Sequence, residues 1–257
     1  MASELTVDID GHVAVLEIHR PPVNYFDRTI LKEIADTAAE LEAGNHVRAL
    51  VLCSEGKHFC AGANFGGGEL LTPEDRGGHS RKLYTEGIRV FEIKLPVIAA
   101  VQGSAVGGGL GLACAADFRV ATSASRFHAN FSSLGFHHGF GLSVTLPRIV
   151  GQQKALDLLY TSRRITGQEA FEMGLADRLA DDGKEREVAV TWAHEIAAMG
   201  PQAVKSIKET MRAPMAAEVR VALERELHEQ SWLWETEDSK VAIAANLARE
   251  KPVFSGK

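Results

Sequence analysis

An α/β fold, or a repetitive ββα arrangement, is what this sequence of 257 residues predicts. Three observations carry that reading. Short apolar runs of strand length recur through the first half of the chain. Apolar residues at helical spacing fill the gaps between them. Glycine or proline marks most of the junctions.

Taken in order, residues 5–9 and 13–18 alternate apolar and polar side chains, and Asp10-Gly11 between them is a hairpin signal. Pro21-Pro22 ends that unit. Ile30, Leu31, Ile34, Ala38 and Leu41 recur at helical spacing, with Gly44 as the stop. Residues 49–53 read as a buried strand, and the glycine- and polar-rich stretch 62–78 as a surface loop. A helix is expected over residues 81–93, and Pro96 opens a strand that runs through Val101. Gly107, Gly108 and Gly109 form a turn that opens an apolar helix over residues 110–115, and residues 118–121 form another short strand. If residues 127–131 are extended, Phe127, Ala129 and Phe131 share one face, while His128 and Asn130 point elsewhere. Beyond Pro201 only helical patterns continue, at residues 204–211, 219–234 and 241–248. The chain thus divides into a core of residues 1–199 and a helical region of residues 200–257. Trp232, Leu233 and Trp234 either pack on the chain's own core or form a subunit contact, where aromatic residues are enriched.

Composition narrows the function classes. With 45% apolar residues the chain can bury a sizeable core. The net charge is −6, the sequence pI is near 5.9, and lysines and arginines are scattered. Nucleic acid as the main partner is disfavoured, although local cations and helix N-termini can still hold an anionic small ligand. Cys53, Cys60 and Cys114 are odd in number and lack metal-ligand spacing, so buried reduced thiols in the cytosol are expected and no metal site. The first residues carry neither a basic nor an apolar leader region, so no signal peptide is expected. The most apolar stretch, residues 95–116, is broken by Gln102 and five glycines, too often for a membrane span.

Two segments carry the chemistry. One is Gly56, Lys57, His58, Phe59, Cys60, Ala61, Gly62, Ala63 and Asn64, directly after a strand. The other runs from Pro96 through the glycine triplet to Ala113. Both put small residues where backbone can approach a ligand. The second also aims the free N–H groups of a helix start into a cleft, which suits developing negative charge. Two such donors on one carbonyl oxygen make an oxyanion hole, where losing one donor typically costs about 2.7–4 kcal/mol. Ser104, Ser132, Ser133 and Ser143 lack the G-x-S-x-G elbow of a serine hydrolase, and the triplet lacks dinucleotide-binding spacing.

The paired segments resemble the two signatures of the enoyl-CoA hydratase/isomerase (crotonase) superfamily. The resemblance extends through Arg20-Pro21-Pro22-Val23-Asn24, Ala116-Asp117-Phe118-Arg119-Val120, Thr166-Gly167-Gln168-Glu169-Ala170 and Glu250-Lys251-Pro252-Val253-Phe254. It implies a crotonase-like spiral of ββα repeats with a C-terminal helical trimerisation region, assembled as a homotrimer or a dimer of trimers. It further implies an acyl-CoA thioester partner, with coenzyme A as part of the substrate and no tightly bound cofactor. The implied oxyanion donors are the N–H groups of Ala63 and Gly108. Pro22, Val23, Ala61, Gly62, Asn64, Gly107 and Phe131 would line the ligand. Lys251 would reach the nucleotide of a neighbouring subunit, or else be a solvated lysine on a tail.

The pattern departs from the hydratases at two positions. The glutamates that handle the proton there correspond to Gly111 and Phe131, so hydration by that mechanism is disfavoured. The nucleophilic aspartate of dehalogenase relatives and the aspartate of dienoyl-CoA isomerases correspond to Gly139. What is left is His138 as the acid/base group, with His137 second, since an imidazole titrates near neutrality. The alternative is that these histidines cap the helix beginning near Leu142 or bond loop carbonyls. His79 and Tyr84 are auxiliary candidates, and Phe65, Phe131, Phe136 and Phe140 either line an apolar pocket or belong to the core. The reading is an acyl-CoA-processing lyase or isomerase that stabilises a thioester enolate. Its alternative is a non-catalytic acyl-CoA-binding or regulatory protein.

Overall fold

The computed structural model describes residues 4–63 and 73–257, the side chains of residues 73–80 excepted. Asn64, Phe65 and the His79 side chain lie outside the described residues. The hairpin forms as expected: β1 (Leu5–Asp10) pairs antiparallel with β2 (Val13–Ile18), and Gly11 takes the left-handed φ of 56° that the turn needs. From there the pairing is parallel, through β3 (Ala49–Ser54), β4 (Val97–Val101), β6 (Phe118–Thr122) and β9 (Arg178–Ala180), giving a six-stranded sheet. Every residue of β3 and β4 is buried, which is why both are nearly unbroken apolar runs. Ala189, Ala193 and Ala197 of α7 (Glu185–Ala197) cover one face with Val51, Ile98 and Val120. The main core fills the other face.

A second, smaller layer gives the chain its repeat. β5 (Ser104–Val106) pairs parallel with β7 (Arg126–His128), which pairs antiparallel with β8 (Arg164–Thr166). Isolated parallel bridges extend this layer, Cys60 to Ala105 and Phe26 to Ala63. Each repeat therefore lays one strand in the large sheet, one extended segment in the small layer, and then a helix. The order is β2, Phe26 and α1 (Arg28–Ala43); β3, Cys60 and α2 (Pro73–Phe91); β4, β5 and α3 (Gly108–Ala115); β6, β7 and, further on, α4 (Leu142–Val150). This is the ββα repetition that the alternating signals predict.

Helix boundaries follow local chemistry. The Asp27 carboxylate accepts from the Ile30 N–H at 3.0 Å and starts α1, whose Ile30, Leu31, Ile34 and Ala38 are buried, and Gly44 ends it. Helix α2 begins at Pro73, eight residues before the expected 81. Proline at a first helical position is pre-organised, so it starts a helix that Gly77 and Gly78 mask in the sequence pattern. Beyond Gly200 the two expected helices are one, α8 (Pro201–Leu233), which runs through Pro214. An interior proline typically costs about 3 kcal/mol. Burial of Met215, Ala216, Val219, Leu223 and Leu227 on the core offsets it. After α8 comes α9 (Glu237–Ala248), capped by the Thr236 hydroxyl.

Helix α8 is anchored by charge. Lys208 Nζ lies 2.7 Å from Asp117 Oδ2, and Arg212 Nε lies 3.1 Å from Asp117 Oδ1. Arg212 also donates to the Ala115 carbonyl at the end of α3. The aromatic cluster near its end divides: Trp234 packs on Phe136 at 5.1 Å, whereas Trp232 is 52% exposed. Among the described residues, no helix is long and apolar enough to cross a membrane.

Candidate functional site

The candidate site lies where the small layer meets the start of α3. Along residues 60–62 the backbone is spoken for. Cys60 N–H donates to Ser104 O at 3.1 Å, Ala61 N–H donates to Val23 O at 2.9 Å, and Gly62 O accepts from Phe26 N–H at 3.0 Å. The carbonyl of Cys60 accepts from Val106 N–H at 3.0 Å. Buried Asn24 fixes the facing turn, its amide donating to Glu55 O and His58 O, which holds Pro22 and Val23 beside this segment. On the other side Gly107 N–H donates to His128 O at 2.8 Å, and its carbonyl accepts from Leu110 and Gly111. Among the described residues, the N–H groups of Ala63 and Gly108 donate to nothing.

The segments that carry them approach each other at Gly62. A methyl group at Gly62 would stand 3.2 Å from Val106 O and 3.9 Å from the Gly108 nitrogen. One at Gly109 would stand 2.2 Å from Cys60 O, so only glycine lets α3 begin this close to the Cys60 backbone. Gly108 is the first residue of α3, where free N–H groups and the helix dipole favour negative charge. Cys60 below them is inert: burial pushes its thiol up to about 12.

Phe131 joins this region to the histidines. Its ring edge lies 3.8 Å from where a Gly107 methyl would stand, and its centroid lies 6.5 Å from the His138 ring. His138 and His137 are stacked at 4.1 Å. A carbonyl can only accept, so His137 Nδ1 carries the proton it shares with His138 O at 2.7 Å, leaving Nε2 as its basic nitrogen. His138 Nε2 lies 2.8 Å from Ser143 Oγ in the first turn of α4. Burial pushes the His138 imidazole down to about 3, with His137 adding to the effect, so its resting form is neutral.

A fully buried carboxylate from α8 completes the arrangement. Glu226 accepts from Gly141 N–H at 2.9 Å, from Ser143 N–H at 3.0 Å and from the Ser143 hydroxyl at 2.6 Å. Burial pushes its pKa up against those hydrogen bonds. Next to it Tyr84 OH donates to Gln230 Oε1 at 2.9 Å, and Gln230 Nε2 donates to His137 O at 3.0 Å. Burial pushes the Tyr84 phenol well above its ordinary value, so it stays protonated.

The two glycines singled out as departures are filled from elsewhere. A methyl group at Gly111 would meet Phe140 Cβ at 2.8 Å and Phe140 O at 2.9 Å. At Gly139 it would meet Tyr84 OH at 2.2 Å and Gln230 Nε2 at 2.5 Å. Phe140 is core, packed against Phe26 and Phe91 at 4.9 and 5.8 Å. His128 is spent on Ser162 O at 2.8 Å, in line with its pointing away. Lys251 is exposed on the C-terminal tail. Sequence reasoning missed Glu226 and gave Ser143 no role with the histidines. The available signal was an acidic residue on the apolar stripe of Val219, Leu223 and Leu227, a place where a charge needs buried partners.

Comparison with known proteins agrees with this architecture. A family model described as enoyl-CoA hydratase/isomerase matches residues 8–257. A probable enoyl-CoA hydratase of Bacillus subtilis is 33% identical over 98% of both chains. A short-chain-enoyl-CoA hydratase of Clostridium acetobutylicum is also 33% identical, over 97% of this chain and 96% of its own. Among solved structures, an enoyl-CoA hydratase/isomerase from Pseudoalteromonas atlantica superposes with a TM-score of 0.86 at 27% identity, covering 98% of this chain and 100% of that one. OdaA of Pseudomonas aeruginosa gives 0.82 at 26%, covering 96% and 99%. The mixed fold of parallel-rich sheet and helices is thus the crotonase fold, and the chain belongs to the enoyl-CoA hydratase/isomerase family.

Proposed function

We propose that this protein processes an acyl-CoA thioester, holding the thioester oxygen between the N–H groups of Ala63 and Gly108. The observation that supports the reading is the close approach of Gly62 to the Gly108 nitrogen at the start of a helix, with the N–H groups of Ala63 and Gly108 finding no acceptor among the described residues. Two donors aimed at one oxygen stabilise the enolate left when a proton leaves the α-carbon, more than they stabilise the ground state. Pro22, Val23, Ala61, Gly62, Asn64, Gly107 and Phe131 line the ligand in this reading, and coenzyme A enters as part of the substrate. The chemistry is that of a lyase or isomerase, with His138 and His137 beside the acyl chain as the proton-handling groups. Hydration that depends on a carboxylate at position 111 is disfavoured by Phe140, which occupies that space. Lys251 contacts the nucleotide of a neighbouring subunit in a homotrimer or dimer of trimers, and the unpaired buried cysteines favour the cytosol.

The test is proton exchange. Saturated, 2-enoyl, 3-enoyl, dienoyl and aromatic CoA thioesters are incubated with the protein in deuterated water, and label is sought at the α and γ carbons. Enzyme-dependent label in at least one thioester is the expected result. Tight binding with no label in any of them would instead assign a non-catalytic acyl-CoA-binding protein.

A further inference from the structure

Glu226 does more than its surroundings require. Helix α4 starts without a side-chain cap of its own, and Glu226 supplies one by accepting the Gly141 and Ser143 N–H groups. A neutral side chain would serve as well, yet a carboxyl group with no exposed surface is used. Its Oε1 takes the Ser143 hydroxyl at 2.6 Å, and the same Oγ lies 2.8 Å from His138 Nε2. Since the Ser143 proton goes to the carboxylate, Nε2 must donate to Oγ. The other ring nitrogen, Nδ1, then holds the lone pair. Three groups from the loop before α4, from α4 and from α8 so form one continuous chain of hydrogen bonds. It runs from the Phe131 side of the site to a carboxylate inside the protein.

We propose that Glu226 is the proton reservoir of the site, reached from the acyl chain through His138 and Ser143. The proposal rests on the acyl-CoA reading above. As the α-carbon C–H bond breaks, its electron pair stays on the enolate and its proton forms an N–H bond at His138 Nδ1. The Nε2–H proton passes to Ser143 Oγ, and the hydroxyl proton passes to Glu226 Oε1. Histidine ends as the opposite neutral tautomer, serine is unchanged, and the carboxylate is neutralised. No imidazolium forms at any stage. This accounts for an imidazole that burial keeps neutral next to a carboxyl that burial makes more basic. The other titratable groups facing Glu226 are Tyr84 on α2, which stays protonated, and His137 in the loop. Neither lies in the chain of bonds. Ser143 and Glu226 touch no substrate and act through His138, as positioning residues.

Two measurements test this. The first needs no substrate: 15N NMR of the histidines in the intact protein. The expected result is His138 protonated at Nε2 in the wild type, with Ser143→Ala losing that preference and Ser143→Thr keeping it. Ser143→Ala retains the Glu226 bonds to the α4 backbone, so it separates the relay from the cap. A wild-type His138 protonated at Nδ1, or a tautomer indifferent to Ser143→Ala, overturns the proposal. The second is α-proton exchange of butyryl-CoA in deuterated water. Ser143→Ala is expected to lower the exchange rate by at least about 100-fold, as loss of acid–base assistance does, with butyryl-CoA affinity unchanged. Ser143→Thr should restore it to within about tenfold. Exchange at the wild-type rate in Ser143→Ala overturns the relay. Absence of exchange in the wild type counts against the acyl-CoA enzyme reading, and the tautomer then decides the relay by itself.

Discussion

His138 ties the proposed chemistry of the site to the stability of the protein. Its folded-state pKa lies near 3, below the ordinary 6.5, because burial disfavours the cation. The unfolded chain therefore binds this proton first as the pH falls. The stabilising contribution is complete above pH 6.5 and is lost progressively toward pH 3. Between pH 6.5 and about 4 the loss comes to about 3 kcal/mol. His138→Gln should escape it, so urea unfolding at the two pH values should show a much flatter acid limb than in the wild type. An identical acid limb would remove His138 as its cause. Glu226 works in the opposite sense. Its raised pKa makes its contribution largest in acid and smaller as the pH rises, so it cannot produce the same acid loss. Gly109 is a second residue whose identity is dictated by contact. Gly109→Ala would press a methyl group to 2.2 Å from Cys60 O and should cost about 1–3 kcal/mol in urea unfolding. No loss of stability would mean that the two glycine-flanked segments can move apart.

Among the elements, α8 links the site to the rest of the chain. It supplies Glu226 and Gln230 to the loop before α4, and it is held at its other end by Asp117. That carboxylate also accepts the Val97 N–H at the start of β4 at 2.7 Å. Asp117→Ala would leave Lys208 and Arg212 largely buried without their counter-ion, a change that typically costs about 3–5 kcal/mol. Lys208→Met removes a charge together with its desolvation and should cost clearly less. Equal losses in the two variants, measured by denaturant unfolding, would contradict this account of the anchor. The length of α8 was hidden in the sequence. The helical patterns at residues 204–211 and 219–234 stop on either side of Pro214, and only tertiary burial of Met215, Ala216 and Val219 carries the helix past it. The hairpin, β3, β4 and the start of α3 were legible because each depends on local features: alternation, unbroken apolar runs and a glycine turn. The short strands β5, β8 and β9, three residues each, are set by pairing with distant partners and leave no periodicity to read.

For the whole molecule, the same division between local and distant interactions explains what was visible of the site. Ala63 and Gly108 sit in contiguous glycine-flanked segments, so the proposed oxyanion pair could be named from sequence alone. Ser143 and Glu226 stand 83 positions apart and meet only after α8 has packed, so no spacing could join them. Exposed apolar side chains are spread over the C-terminal region, Trp232 at 52%, Leu247 at 80% and Val253 at 84%. The subunit contact proposed above would cover such side chains, since aromatic residues are enriched at interfaces. If the proposed homotrimer or dimer of trimers forms, sedimentation analysis should find a trimer or a multiple of it, and Trp232→Glu should shift the distribution toward monomer. A monomeric wild type at micromolar concentration would contradict that expectation. The account as a whole depends on two amides sharing one thioester oxygen. Infrared difference spectroscopy of butyryl-CoA labelled with 13C at the thioester carbonyl reports on that oxygen directly. Binding should move the carbonyl stretch to lower frequency than in water, because two fixed donors polarise the bond more than solvent does. A bound carbonyl at its solution frequency, or at a higher one, would show that Ala63 and Gly108 do not hold it.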